Sequence, residues 1–142
     1  MTASVSVPEN VTFENAIAIV RSLLDGRETD TLSEDDFATT VSELVKSRNG
    51  ARGFFVTYLT DDRTLADRAS ASTLNALASS PEIVSELLVK NIAMSTAMAI
   101  HHRRQHNEEI AASSDRVRSR CSQLIRELNL PAIESQLQAL LE

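Results

Sequence analysis

The chain has 142 residues, of which 42% are hydrophobic and 24% are charged, and its formal net charge at pH 7 is −6. This is the composition of a globular protein, and the length predicts one domain over residues 1–142 that buries its own core. The negative charge disfavours a nucleic-acid partner, because such proteins present a basic surface. Cys121 is the only cysteine, which excludes an intramolecular disulfide and zinc sites built from several cysteines.

The sequence shows neither a secretory signal at its start nor an apolar run of 18 residues without charge. We therefore expect a cytoplasmic protein without membrane contact, and no cofactor is indicated. Gly and Pro number three each, so long stretches run without helix breakers. These features predict an all-α fold, a single-domain bundle of five to seven helices, with residues 1–11 as a loosely ordered N-terminal segment.

Two helices are predicted in the first third of the chain. Apolar residues at helical spacing predict a helix over residues 12–25, and Gly26 stands where a glycine commonly ends a helix. Ser33 is the expected N-cap of the second helix, because three acidic residues follow it in the first turn. We expect Asn49 and Gly50 to end this second helix.

Residues 54–60 are rich in aromatic and β-branched side chains, which is typical of a strand. The sequence offers no second run of this kind to pair with it, so a helix over residues 51–60 is the preferred interpretation and a strand is the alternative. Residues 61–71 are expected to be irregular. Ser72 is the expected N-cap of a short helix that follows them.

The longest apolar helix is predicted to begin at a strong start signal, Ser80 followed by Pro81 and Glu82. Residues 81–100 contain few polar side chains, so we expect them to form the central helix of the bundle, buried on most sides.

A cluster of polar residues at 101–109 then interrupts the apolar pattern. We predict a break there with Asn107 as the next N-cap, whereas one continuous helix over residues 81–128 is the alternative, since no Gly or Pro intervenes. A last helix is expected from Pro131. Its apolar face consists of Ile133, Leu137, Leu140 and Leu141.

The sharpest group of candidate metal ligands is His102, His106 and Glu109. In a continuous helix these side chains would share one face within roughly 60° of arc. Imidazole and carboxylate groups at this spacing can bind a transition metal such as zinc. The alternative, which we prefer, is a solvated junction between two helices.

Five arginines form a local basic cluster and a second candidate site, for a phosphate or an acidic partner: Arg103, Arg104, Arg116, Arg118 and Arg120. A solvated helix face, paired in part to acidic neighbours, is the preferred alternative.

Three of the five aromatic residues form a third candidate, a surface for a partner or small ligand: Phe54, Phe55 and Tyr58. The nearby Gly50 and Gly53 would let another backbone approach closely. The preferred alternative is that these aromatic rings belong to the core.

No motif of nucleophilic catalysis or nucleotide binding occurs, and Cys121 lies on an apolar helix stripe, where an inert buried thiol is expected. We therefore expect a non-enzymatic interaction or regulatory protein that acts as a homodimer and could also bind another protein. The alternative is a helical protein that binds a metal or small ligand through segment 101–120.

Overall fold

The computed structural model describes residues 6–141, and all of their regular structure is helical. A short 3-10 helix, Thr64–Asp67, precedes α4, and no strand occurs in these residues. The predicted all-α bundle is confirmed, with seven α-helices. They are α1 (Phe13–Glu28), α2 (Glu34–Leu44), α3 (Arg48–Tyr58), α4 (Ala71–Ala78), α5 (Pro81–Arg104), α6 (Glu108–Leu128) and α7 (Pro131–Leu141).

The helices pack in pairs around one cluster of buried side chains. Helix α1 packs on α3, and α2 packs on α4. Helix α5 is central, as predicted, since it contacts α3, α4, α6 and α7, and its most extensive contact is with α6. Residues 1–5 of the predicted loose segment lie outside the described residues, whereas Val7 and Val11 pack with the core cluster.

Side-chain caps fix the starts of most helices. Each cap residue accepts a hydrogen bond from the backbone N–H three residues later, which satisfies a donor that has no partner inside the helix. Ser33 is confirmed as the cap of α2. The prediction for α4 was wrong by two residues, because Ser70 and not Ser72 accepts the capping bond. The capping residues with such a bond among the described residues are Thr12, Ser33, Ser47, Ser70 and Asn107.

Helix α1 does not end at Gly26 as predicted. It continues to Glu28, and Asp30, with φ at 59°, adopts the left-handed conformation that reverses the chain. Gly26 is needed for a different reason: a Cβ there would lie 2.8 Å from the Cβ of Leu32. The glycine therefore lets the following loop fold back onto the helix, which the sequence pattern does not distinguish from a helix end.

The prediction that Asn49 and Gly50 end α2 was also wrong. Helix α2 ends at Leu44, and both residues lie in the first turn of α3. A Cβ at Gly50 would lie 2.1 Å from the carbonyl oxygen of Leu44. The glycine is required because the two helices meet at a tight corner.

Residues 54–60, whose propensity is that of a strand, form the C-terminal part of α3 and the two residues after it. The ring of Phe54 meets that of Phe55 edge-on at 5.1 Å and stacks on that of Tyr58 at 4.9 Å. Because these rings are buried, their packing decides the backbone conformation over local propensity.

Helices α5 and α6 form an antiparallel hairpin, so the predicted break is confirmed and a continuous helix over residues 81–128 is not formed. His106, with φ at 60°, reverses the chain, and Asn107 caps α6. Arg103 holds the turn by binding Glu108 at 3.3 Å and Asp115 at 2.5 Å. The last helix starts at Pro131 as predicted.

Candidate functional site

Burial along α5 differs between its two halves. The first half is buried around most of its circumference, including Val84, Leu87 and Leu88. In the second half, residues 91–100, only Ser95 and Ala99 are buried. By length and composition α5 could cross a membrane, a criterion that core helices of soluble proteins also meet, yet only 39% of its most apolar 18-residue stretch is buried.

The uncovered half of α5 is apolar and carries no charge between Asn91 and Ile100. Met94 is 67% exposed, Met98 41% and Ile100 49%, and Ile110 at the start of α6 is 45% exposed. Met94 and Met98, four residues apart, share one face of α5, whereas Ile100 lies at least about 120° around the helix from both. We call Met94 and Met98 the apolar hairpin surface. Among the described residues the other exposed large hydrophobic side chains are Val56, Ile100, Ile110 and Leu137.

The apolar hairpin surface continues into a groove toward the body of the protein. This groove, of about 260 Å³, lies between α1, α3 and α5, and Met94 forms part of its wall. Val56, which is 41% exposed, lines it from α3. The guanidinium of Arg52 lies 4.9 Å from the centre of the Phe13 ring at the same groove. A partner bound at the apolar hairpin surface would therefore also contact apolar side chains of α1 and α3 in this groove.

The predicted aromatic surface is not a surface. Phe54 and Phe55 are fully buried, and Tyr58 is 2% exposed. The glycine beside them serves helix packing, since a Cβ at Gly53 would lie 2.4 Å from the Cβ of Ala16 on α1. The three rings fill the core, where aromatic side chains bury the largest apolar areas.

The predicted arginine cluster does not converge on one site. Arg103 binds two carboxylates at the hairpin turn, and Arg116 binds Asp62 at 3.1 Å. The carboxylate of Asp115, which has the larger effect, and that of Glu108 raise the pKa of Arg103. Arg104 is exposed, and Arg120 is 4% exposed and points into the protein. Arg103 therefore stabilises the hairpin turn, Arg116 connects α6 to the loop after α3, and the arginines do not form one anion site.

The candidate metal ligands are likewise not gathered. The continuous helix that would align them is interrupted at His106, which places His102 at the end of α5 and Glu109 at the start of α6. Within residues 6–141 no group of three or more His, Cys, Asp or Glu side chains is arranged to hold a metal ion.

The apolar hairpin surface was not predicted, because residues 81–100 were expected to be buried on most sides. A signal was present: small residues alternate with large ones over residues 93–99, at Ala93, Ser95, Ala97 and Ala99. Buried Ser95 and Ala99 indicate close contact along one narrow face, which leaves the larger side chains on the other sides of the helix.

Comparison with known proteins gives one match. No curated protein and no solved structure matches the chain significantly. A family model described as "Uncharacterised conserved protein UCP020893" matches residues 12–142. This range covers all seven helices, so the chain belongs to that family.

Proposed function

We propose that the protein is a non-enzymatic interaction or regulatory protein that acts as a homodimer through its apolar hairpin surface. The main support for this proposal is the uncovered half of α5, which carries no charge and exposes Met94 and Met98 one helical turn apart. Exposed apolar surface that is concentrated in one place is typical of a contact site.

A second copy of the chain is the occupant that this chemistry favours. In a two-fold symmetric contact each surface meets its own copy, so any charge near the axis would face an identical charge. Residues 91–100 carry none, and homodimer interfaces are more apolar than other contacts. Within residues 91–100 a partner recognised by ion pairs would find no charged group to bind. Two hairpins that pair in this way bring four helices together, a common packing arrangement.

Sedimentation velocity over a concentration series tests this proposal. The wild type should sediment as a dimer at high micromolar concentration, and a variant with both Met94→Glu and Met98→Glu should sediment as a monomer. Leu137→Glu is the matched control, because Leu137 is a 39% exposed apolar residue on α7, outside the apolar hairpin surface. Circular dichroism should show the same helix content in all three proteins.

Two results would count against the homodimer. One is a wild type that remains monomeric throughout the series. The other is a double variant that dimerises as the wild type does, which would assign the contact to another surface.

A further inference from the structure

A second feature, separate from the apolar hairpin surface, is a small pocket of about 160 Å³. It lies where the C-terminal ends of α1 and α3 meet the first turns of α2 and α4 and the 3-10 helix. Eight residues line it: Arg27, Glu34, Phe37, Tyr58, Leu65, Arg68, Ser70 and Thr73.

The hydroxyl of Tyr58 is a polar group without a partner at this pocket. Tyr58 is 2% exposed, and no hydrogen bond to its side chain occurs within the described part of the chain. Ser85 Oγ is the one fully buried side-chain oxygen or nitrogen without a partner among the described residues, so the Tyr58 hydroxyl, which also has no partner, keeps some contact with solvent, and Tyr58 lines this pocket. Burial raises the pKa of Tyr58 to about 12, which keeps the hydroxyl protonated as a donor at neutral pH.

Two guanidinium groups border the same pocket. One Nη atom of Arg27 donates to the carbonyl oxygen of Leu32 at 2.9 Å, which leaves its other N–H groups available. Arg68 is exposed and has neither an ion pair nor a side-chain hydrogen bond with the described residues. Glu34 is the one carboxylate in the lining, so the ionised groups sum to a single positive charge. This balance matches one negative charge on a ligand.

Two apolar side chains and two hydroxyl side chains, Ser70 and Thr73, complete the walls. Phe37, which is 5% exposed, and the half-buried Leu65 face the pocket beside the polar groups. Pockets for small molecules combine such apolar walls with a few polar groups that fix orientation. An inorganic anion would leave this apolar wall unused.

We propose that this pocket binds a small organic monocarboxylate, with Arg27, Arg68 and the Tyr58 hydroxyl donating to the carboxylate and Phe37 and Leu65 contacting its apolar body. Guanidinium groups bind carboxylates through paired N–H donors, which gives such a contact both strength and direction. The size of the pocket restricts the ligand to a short or single-ring acid. This site is independent of the homodimer proposed above.

Nuclear magnetic resonance titration of the protein tests the site with defined probes. Sodium isobutyrate and sodium benzoate at millimolar concentration should shift the amide signals of residues around the pocket. The neutral amides isobutyramide and benzamide, and inorganic phosphate, should shift them far less. Arg68→Ala should weaken benzoate binding at least about tenfold, because it removes a charge-assisted hydrogen bond.

Two further variants separate binding from folding. Tyr58→Phe keeps the ring in the core and removes only the donor, so benzoate should bind it several-fold more weakly in a protein that is otherwise folded. Arg104→Ala, an exposed arginine on α5, should bind benzoate as the wild type does. The proposal is overturned if neither carboxylate binds, if benzamide or phosphate binds as well as benzoate, or if Arg68→Ala and Tyr58→Phe leave benzoate binding unchanged.

Discussion

The guanidinium of Arg120 on α6 donates a 2.7 Å hydrogen bond to the carbonyl oxygen of Asp61, just beyond the C-terminal end of α3. The same side chain donates to the carbonyl oxygens of Leu59 and Arg63 at 3.0 and 2.9 Å, and to Oδ1 of Asp67 at 2.9 Å. Carbonyl groups at a helix end have no partner in the helix, and a cation there also complements the helix dipole. One buried arginine therefore fastens the hairpin to the body of the protein.

Replacing Arg120 should destabilise the protein strongly. Arg120→Met retains the apolar stem and removes the donors, which leaves several shielded carbonyl oxygens without partners at about 1–3 kcal/mol each. We expect a loss of about 3 kcal/mol or more in the free energy of unfolding, measured by urea denaturation. Arg118→Ala is the control, since Arg118 is exposed, and it should change stability by less than about 1 kcal/mol. Equal stability of both variants would show that the Arg120 contacts contribute little.

The contact between α1 and α3 depends on the absence of a side chain at Gly53. A Cβ there would lie 2.4 Å from Ala16 Cβ and 3.0 Å from the carbonyl oxygen of Phe13, so Gly53→Ala should cost about 1–3 kcal/mol by overpacking. Adding Ala16→Gly should recover part of the loss, because it removes the nearest clashing atom. Thermal unfolding of the single and double variants measures this coupling, and a stabilising Gly53→Ala would contradict the proposed close contact.

Acid should weaken the contact between α3 and α5. The two donors from Arg48, at 2.6 and 3.0 Å, and Lys90 Nζ at 2.8 Å hold the pKa of Glu86 down to about 2. A carboxyl whose pKa is lower in the folded state stabilises the fold above its usual pKa of 4.5, and this contribution is lost as the pH falls from about 4.5 to about 2.

Glu86→Gln tests that contribution by urea denaturation at several pH values. The variant should be less stable at neutral pH, by about 1 kcal/mol or less because the pair is partly solvated, and its stability should fall less between pH 4.5 and 2. Glu82→Gln, at an exposed acid on the same helix, should keep the wild-type profile. Identical profiles for wild type and Glu86→Gln would refute this role of the ion pair.

The single thiol should be unreactive in the folded protein. Cys121 is fully buried, and burial raises the pKa of its thiol to about 12, so almost no thiolate exists at neutral pH. Labelling with iodoacetamide should be slow in the native state and complete in urea. Rapid labelling of the native protein would mean that α6 detaches from the core on the timescale of the reaction.

Local signals in the sequence predicted much of the fold. Ser33 and Asn107 are caps in the structure, as side-chain chemistry indicated, and the lack of Gly and Pro predicted long helices. Gly26 and Gly50 were predicted to end helices, yet each is required by close contact with a residue six positions away, Leu32 and Leu44 respectively. Such contacts depend on how the chain turns between two helices, and a glycine in the sequence does not distinguish them from a helix end.

The candidate site was less predictable for a similar reason. Phe54 and Phe55 attracted attention as aromatic residues, yet their size makes them the core. Met94 and Ile100 have the character of core residues, and their exposure follows from the absence of any covering helix among the described residues. The pocket at Tyr58 joins residues from α1 to α4, a proximity that sequence spacing does not reveal.

Cysteine cross-linking is the most direct test of whether two copies of the chain pair through α5. Because native Cys121 is buried, Met98→Cys introduces one accessible thiol near the proposed two-fold axis. Under mild oxidation this variant should form a disulfide-linked dimer that a reducing agent dissolves, whereas Leu137→Cys should remain monomeric on the same gel. If Met98→Cys and Met94→Cys cross-link no faster than Leu137→Cys, the apolar hairpin surface is not the contact between two copies.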